Sequence, residues 1–200
     1  MKIGILISGR GSNMAAIVDA VKSGQIPNSE VAVIIGDKGN AEGLRKAKER
    51  GIETLVVEKN GRKRAEHDAE IAAELKKRNV ELVCLAGYMR LLSPEFIRAF
   101  PDKILNIHPS LLPAFKGLDA QTQAIEYGVK FSGCTVHFVD ESLDNGAIVA
   151  QTVVEVRDDD TAETLAARIL EQEHALYVDA IAKIVEGKFE IRGRRVKERK

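Results

Sequence analysis

Five short β-branched apolar runs recur through the first half of the chain, KIGILI (2–7), VAVIIG (31–36), TLVVE (54–58), ELVCLAG (81–87) and KILNI (103–107), separated by longer polar segments. Strands that are apolar on both sides must be covered on both faces. Parallel pairing further requires a crossover of a dozen or more residues, which the intervening segments supply. Two of them have helical period: 12–23, with Met14, Ala15, Ile17, Val18 and Val21, and 62–78, with Ala65, Ile71, Ala72 and Leu75. The spacing predicts a doubly wound α/β fold with a mostly parallel sheet, helices on both faces and right-handed crossovers.

Beyond Leu118 the pattern changes to a helix over 119–127, an alternating strand over 131–139, an Asp/Asn/Gly turn at 140–146 and a strand over 147–156. That turn is too short for a crossover helix, so the two strands should pair antiparallel. A final helix is expected over 162–185, capped by Asp160 or Thr161 and ended by Gly187. The closing RGRRVKERK reads as a frayed, solvated end. With no repeat or linker, the expectation is one domain over 1–190 and a basic tail over 191–200.

Charge narrows the partners. Thirty Lys and Arg balance thirty Asp and Glu in 200 residues, which argues against gripping nucleic acid or an anionic membrane by bulk positive charge. Any anion must be bound locally. The apolar run at 3–7 is too short for a signal-peptide core or a membrane span. Cys84 and Cys134 lie in apolar runs and read as small buried thiols, suited to a reducing cytoplasm.

Four segments carry groups suited to chemistry. ILISGRGSN (5–13) runs from a strand through Gly9 and Gly11 into a helix, where free N–H groups with the Ser12 and Asn13 side chains make a phosphate cradle. Met14 stands where a dinucleotide fingerprint has its third glycine and no Walker lysine follows, so the cradle suits a mononucleotide-sized phosphate. LAGYMRLLSPEF (85–96) leaves the fourth strand at the end where open α/β sheets bind ligands. Gly87, Met89 and Arg90 are placed there for contact, although Met89 and Leu92 equally suit a core. In LNIHPSLLPAFKG (105–117), strand alternation sets Asn106 and His108 on one face, and Pro109 and Pro113 stiffen the loop that follows. An amide that donates to an oxyanion beside an imidazole that exchanges protons near neutral pH suits acyl-type transfer. HFVDESLDNGAIVAQ (137–151) sets Asp140, Glu141 and Asp144 in a turn, where a carboxylate can orient an imidazole and favour its protonated form.

Other chemistries fit less well. His137 reads as a satisfied core residue and His67 as an inert residue on a helix surface. His108, His137 and His174 lack zinc-ligand spacing, and no C-x-x-C or G-x-S-x-G motif is present. The competing class is a Rossmann-type nucleotide-binding regulatory module, suggested by the strand-loop-helix at 3–20 and by Asp37 ending the second strand. It would bind nicotinamide nucleotides without dependence on His108.

Taken together, SGRGSN, AGYMRLLS, NIHPSLLP, TVHFVDESLDNG and QEHALY, in this order and spacing, resemble the folate-dependent phosphoribosylglycinamide formyltransferases of purine biosynthesis, from Lys2 to about Glu190. The resemblance implies a formyltransferase-like fold with a Rossmann-type N-terminal half. It also implies transfer of the formyl group of 10-formyltetrahydrofolate to the amine of phosphoribosylglycinamide, without a metal. Asn106, His108 and Asp144 match the family's catalytic trio. Gly11, Ser12, Asn13 and Glu173 match residues that bind the ribonucleotide. Arg64, Met89, Arg90, Leu91, Leu92, Asn106, Val139 and Asp140 match the folate side. Asn145, Ala147 and Asp119 depart from the commoner pattern around the folate loops. The partners implied are small molecules, with no nucleic acid or membrane, for a cytoplasmic monomer or homodimer. A related deformylase would add an N-terminal regulatory domain and a methionyl-tRNA formyltransferase a C-terminal RNA-binding domain; the predicted elements leave room for neither.

Overall fold

Ile3, Ile5, Leu6 and Ile7 have no exposed surface, so the first strand, β1 (Lys2–Ile7), is covered on both sides. Each such side chain contributes about 1.5–3 kcal/mol on burial. In the computed structural model, which describes residues 1–187 and 189–198, β1 is the centre of the first of two units, Met1–Asn106 and Ile107–Lys200. The first unit continues with α1 (Ser12–Ser23), β2 (Glu30–Gly36), α2 (Glu42–Glu49), β3 (Thr54–Val56), α3 (Arg64–Lys77), β4 (Leu82–Leu85), α4 (Pro94–Ala99) and β5 (Ile104–His108), the last of which crosses into the second unit. β1 pairs in parallel with β2 and β4, β2 with β3, and β4 with β5. The order is therefore β3-β2-β1-β4-β5.

Right-handed crossovers in that order send α1 and α2 to one face of the sheet and α3 and α4 to the other. The helix contacts agree, because α1 packs on α2 and α3 on α4. At Gly4 an added Cβ would lie 2.5 Å from Leu75 Cδ2, so the glycine lets α3 approach β1 closely. The five predicted strands and two predicted helices of this unit are present; the short α2 and α4 were not anticipated.

The second unit holds α5 (Ala120–Tyr127), β6 (Phe131–Phe138), β7 (Ile148–Glu155), α6 (Ala162–Val185), β8 (Phe189–Arg192) and β9 (Arg195–Glu198). β6 and β7 pair antiparallel, from Phe131 opposite Glu155 to His137 opposite Ile148, as their short connection requires. α6 packs on both strands. Thr161 is its cap, its side chain accepting from the Thr164 N–H at 3.3 Å. Asp160 stands just outside, and the Arg168 guanidinium beside it holds its carboxyl well below the usual carboxylate range.

One expectation is overturned. The segment read as a frayed basic tail is mostly a hairpin, β8 antiparallel to β9, with β9 joined to β7 where Arg195 meets Ile148. Phe189 stacks on Phe138 at 5.8 Å between ring centroids, and that contact anchors strands whose charges disguise them. The border between the two units falls inside β5, where no linker or change of composition marks it, so the sequence reads as one domain. Among the described residues no helix is long and apolar enough to cross a membrane.

Candidate active site

Strand order in the first unit reverses between β1 and β4, and in an open α/β sheet the crevice beyond such strand ends receives ligands. Two loops meet there. The Ser8 N–H donates to Gly87 O at 3.1 Å, and the Met89 N–H donates to Ser8 Oγ at 2.9 Å. Gly11, the N-cap of α1, takes a left-handed φ of 70° and has no side chain to cap the helix. The start of α1, with half-buried Ser12 and buried Asn13, thus presents positive helix-dipole potential toward the turn.

Helix α2 sets the shape of this turn. The Gly43 N–H donates to Gly9 O at 3.0 Å, and Lys46 Nζ donates to Arg10 O at 3.1 Å. A Cβ on Gly11 would lie 2.6 Å from Gly43 Cα, a separation that no side chain can occupy.

Residues 89–92 are split by burial. Met89 and Leu91 are 65% and 56% exposed, whereas Leu92 is 8% exposed. The core alternative therefore holds for Leu92 and fails for Met89. Arg90 is half-buried, and its Nε has no hydrogen-bond partner. Two residues earlier in sequence, burial, then Asp68 and Asp37, push the Tyr88 phenol well above its ordinary range. Arg64 is the exposed first residue of α3. A cation at that end opposes the helix dipole, so helix stability does not explain its position.

The candidate carboxylate and imidazole come together in the second unit. His108 ends β5, two residues after half-buried Asn106 and on the same strand face. Its Nε2 lies 2.8 Å from Phe115 O, and its Nδ1 lies 3.5 Å from Asp144 Oδ2. A carbonyl only accepts, so Nε2 carries a hydrogen, and Nδ1 faces a second acceptor oxygen. Asp144 adopts φ 44°, a left-handed conformation Asp tolerates better than most residues. Its Oδ2 accepts the Gly117 N–H at 2.8 Å.

His137 is a residue whose place the sequence reading missed. Buried as expected, it also approaches Asp144, with Nε2 at 3.8 Å from Oδ1. Its Nδ1 donates to Phe138 O at 2.8 Å. Burial lowers its pKa, against the opposing pull of the Phe138 carbonyl and Asp144, so the ring favours its neutral form and leaves Asp144 without a compensating charge from that side. A histidine three residues before the acidic turn was the available signal.

Val139 and Asp140 are half-buried at the end of β6, and Asp140 Oδ1 accepts the Ser142 N–H at 2.9 Å. Lys116 Nζ holds Asn145 Oδ1 at 3.0 Å, another contact the sequence did not disclose. Glu173 is buried on α6. Its charge adds to burial in raising the Cys134 thiol to about 12. Cys84 and Cys134 are both buried thiols, as read. His67 corrects its reading: it has no exposed surface, because its ring bonds within the protein rather than facing solvent. Among the described residues no cluster of three His, Cys, Asp or Glu is arranged to hold a metal ion.

Residues 1–181 match the family model described as formyl transferase. The chain is 43% identical over 192 residues to a phosphoribosylglycinamide formyltransferase of Haemophilus influenzae, covering 96% of this chain and 90% of that protein. It is 45% identical over 188 residues to the trifunctional purine biosynthetic protein adenosine-3 of Drosophila melanogaster, covering 93% of this chain but only 14% of that much longer relative. Among solved structures, glycinamide ribonucleotide transformylase 1 from Symbiobacterium toebii aligns with a TM-score of 0.97 at 49% identity, covering 99% of this chain and 93% of that one.

Proposed function

The chain belongs to the formyl transferase family, and from that premise we propose that it transfers the formyl group of 10-formyltetrahydrofolate to the amine of N1-(5-phospho-β-D-ribosyl)glycinamide. The products are the formylglycinamide ribonucleotide and tetrahydrofolate, a step of purine biosynthesis on small molecules in the cytoplasm. The observation that carries this most is His108, whose two ring nitrogens both face acceptor oxygens.

Attack of the amine on the formyl carbon creates a tetrahedral oxyanion, and catalysis requires donors aimed where that charge develops. Asn106 supplies an amide N–H. His108 supplies a positively charged N–H: Nε2 is engaged by Phe115 O, while Nδ1, at 3.5 Å from Asp144, lies beyond a tight N–H···O bond and serves the oxyanion beside that carboxylate. Asp144 favours the charged imidazole and relays a proton, through water, from the attacking amine to the departing folate nitrogen.

Substrate binding divides between local features, as zero net charge demands. Gly11, Ser12 and Asn13 take the ribose phosphate at the start of α1, and Glu173 binds the same ribonucleotide. Arg64, Met89, Arg90, Leu91, Leu92, Val139 and Asp140, together with Asn106, serve the folate; the exposed apolar surfaces of Met89 and Leu91 suit its ring system.

Purified protein supplied with both substrates should yield formylated amine and tetrahydrofolate in equal amounts. Release of formate at the same rate with and without the amine would overturn transfer in favour of hydrolysis.

A further inference from the structure

His67 and Asp68, absent from the chemistry above, occupy the interior of the first unit with 0% and 1% exposure. The His67 Nε2–H donates to Val57 O at 2.7 Å, and Nδ1 lies 3.2 Å from Asp68 Oδ1. That second contact is a hydrogen bond only with a proton between the two atoms. The other carboxylate oxygen, Oδ2, accepts the Ser93 N–H at 2.6 Å. Ser93 follows Leu92 directly, and its Oγ accepts the Phe96 N–H at the start of α4. The stretch 89–92 is thereby pinned at both ends, by Ser8 Oγ on the Met89 N–H and by Asp68 on the Ser93 N–H.

A buried carboxylate–imidazole pair is a poor choice for stability alone, since apolar replacements of such pairs are often neutral or stabilising. What it provides is direction: a charge-assisted bond that fixes one backbone geometry. The pair also lies one helical turn from Arg64, on the same helix. Tyr88, at the other end of the loop, feels the Asp68 charge as well.

We propose that His67 and Asp68 are positioning residues that hold 89–92 and the first turn of α3 in their folate-binding geometry without touching the folate. The assignment rests on the function proposed above.

The test compares wild type, Asp68→Asn, His67→Gln and Ser93→Ala for kcat, the KM of each substrate, direct folate binding and melting temperature. Asp68→Asn should raise the KM for 10-formyltetrahydrofolate roughly tenfold, the scale of one charge-assisted hydrogen bond. Its kcat and its KM for the ribonucleotide should stay within about twofold on the same scale. His67→Gln should move the folate KM in the same direction and stands in if Asp68→Asn does not fold. Ser93→Ala removes the α4 cap and keeps the N–H that Asp68 binds, so it should lower the melting temperature and leave the folate KM unchanged. A lowered melting temperature with unchanged folate KM in the Asp68 and His67 variants would overturn the inference. Wild-type protein that binds no folate would instead overturn the function on which it rests.

Discussion

Among the described residues, two of the histidine–aspartate contacts are built in opposite ways. His67 and Asp68 are sequence neighbours on one helix, fully buried, with both ring nitrogens and both carboxylate oxygens engaged at 2.6–3.2 Å. His108 and Asp144 come from a strand end and a distant loop, 3.5 Å apart, and the Asp144 side chain keeps 11% of its surface exposed. The first pair has no capacity left for a substrate. The second retains slack and a route to solvent, the conditions under which a proton can be delivered. Closeness of imidazole to carboxylate is therefore not the whole of what separates the two pairs; unspent bonding capacity is the rest.

The contrast can be broken by substitution. Asp144→Asn keeps an acceptor for the Gly117 N–H and removes the charge, so kcat should fall roughly 10²–10⁴-fold, the usual worth of general acid–base assistance, while the melting temperature barely moves. Steady-state kinetics beside a melting curve tests this, and retained kcat would remove Asp144 from the chemistry. Asp68→Ala should act the other way round, costing about 3–5 kcal/mol of stability in urea unfolding because it strands a buried partner. A loss below about 1 kcal/mol would mean the closed pair is not a structural keystone.

The smallest effect concerns the imidazole on the far side of Asp144. Burial lowers the His137 pKa from its ordinary 6.5, so below that value the unfolded chain binds its proton more readily than the folded one. The associated stability is full above pH 6.5 and is lost as pH falls through the folded pKa. Urea midpoints measured between about pH 5 and 8 should show this decline in wild type and a flatter profile in His137→Gln. An identical profile in both would show that His137 does not titrate on unfolding.

The two pairs also show what a sequence discloses. Asn106 and His108 were legible because strand alternation is local and the following prolines mark a constrained loop. α1 and α6 were legible to within a residue or so, since their apolar period and flanking glycines coincide. His67 was not, because its neighbours Glu66, Asp68 and Glu70 make that part of α3 look solvated, whereas its ring is engaged by Val57 and by Asp68, which in turn holds the Ser93 N–H. The Ser93-Pro94 start of α4 was a usable signal, cap then proline at the first turn. The C-terminal hairpin carried a weaker one, in Phe189, Ile191 and Val196 around Gly193, hidden under arginines. The approach of His137 to Asp144 depends on how the turn after β6 folds back, which no local pattern encodes.

The contact of Gly43 with Gly11 also bears on how such a protein changes over generations. Because α2 fills the space beside the β1–α1 turn, the turn cannot acquire a bulkier residue while the helix stays as it is. The shape of the turn is thus inherited by two segments jointly. A lineage exploring a different turn must alter both, because a side chain added at either glycine meets the other.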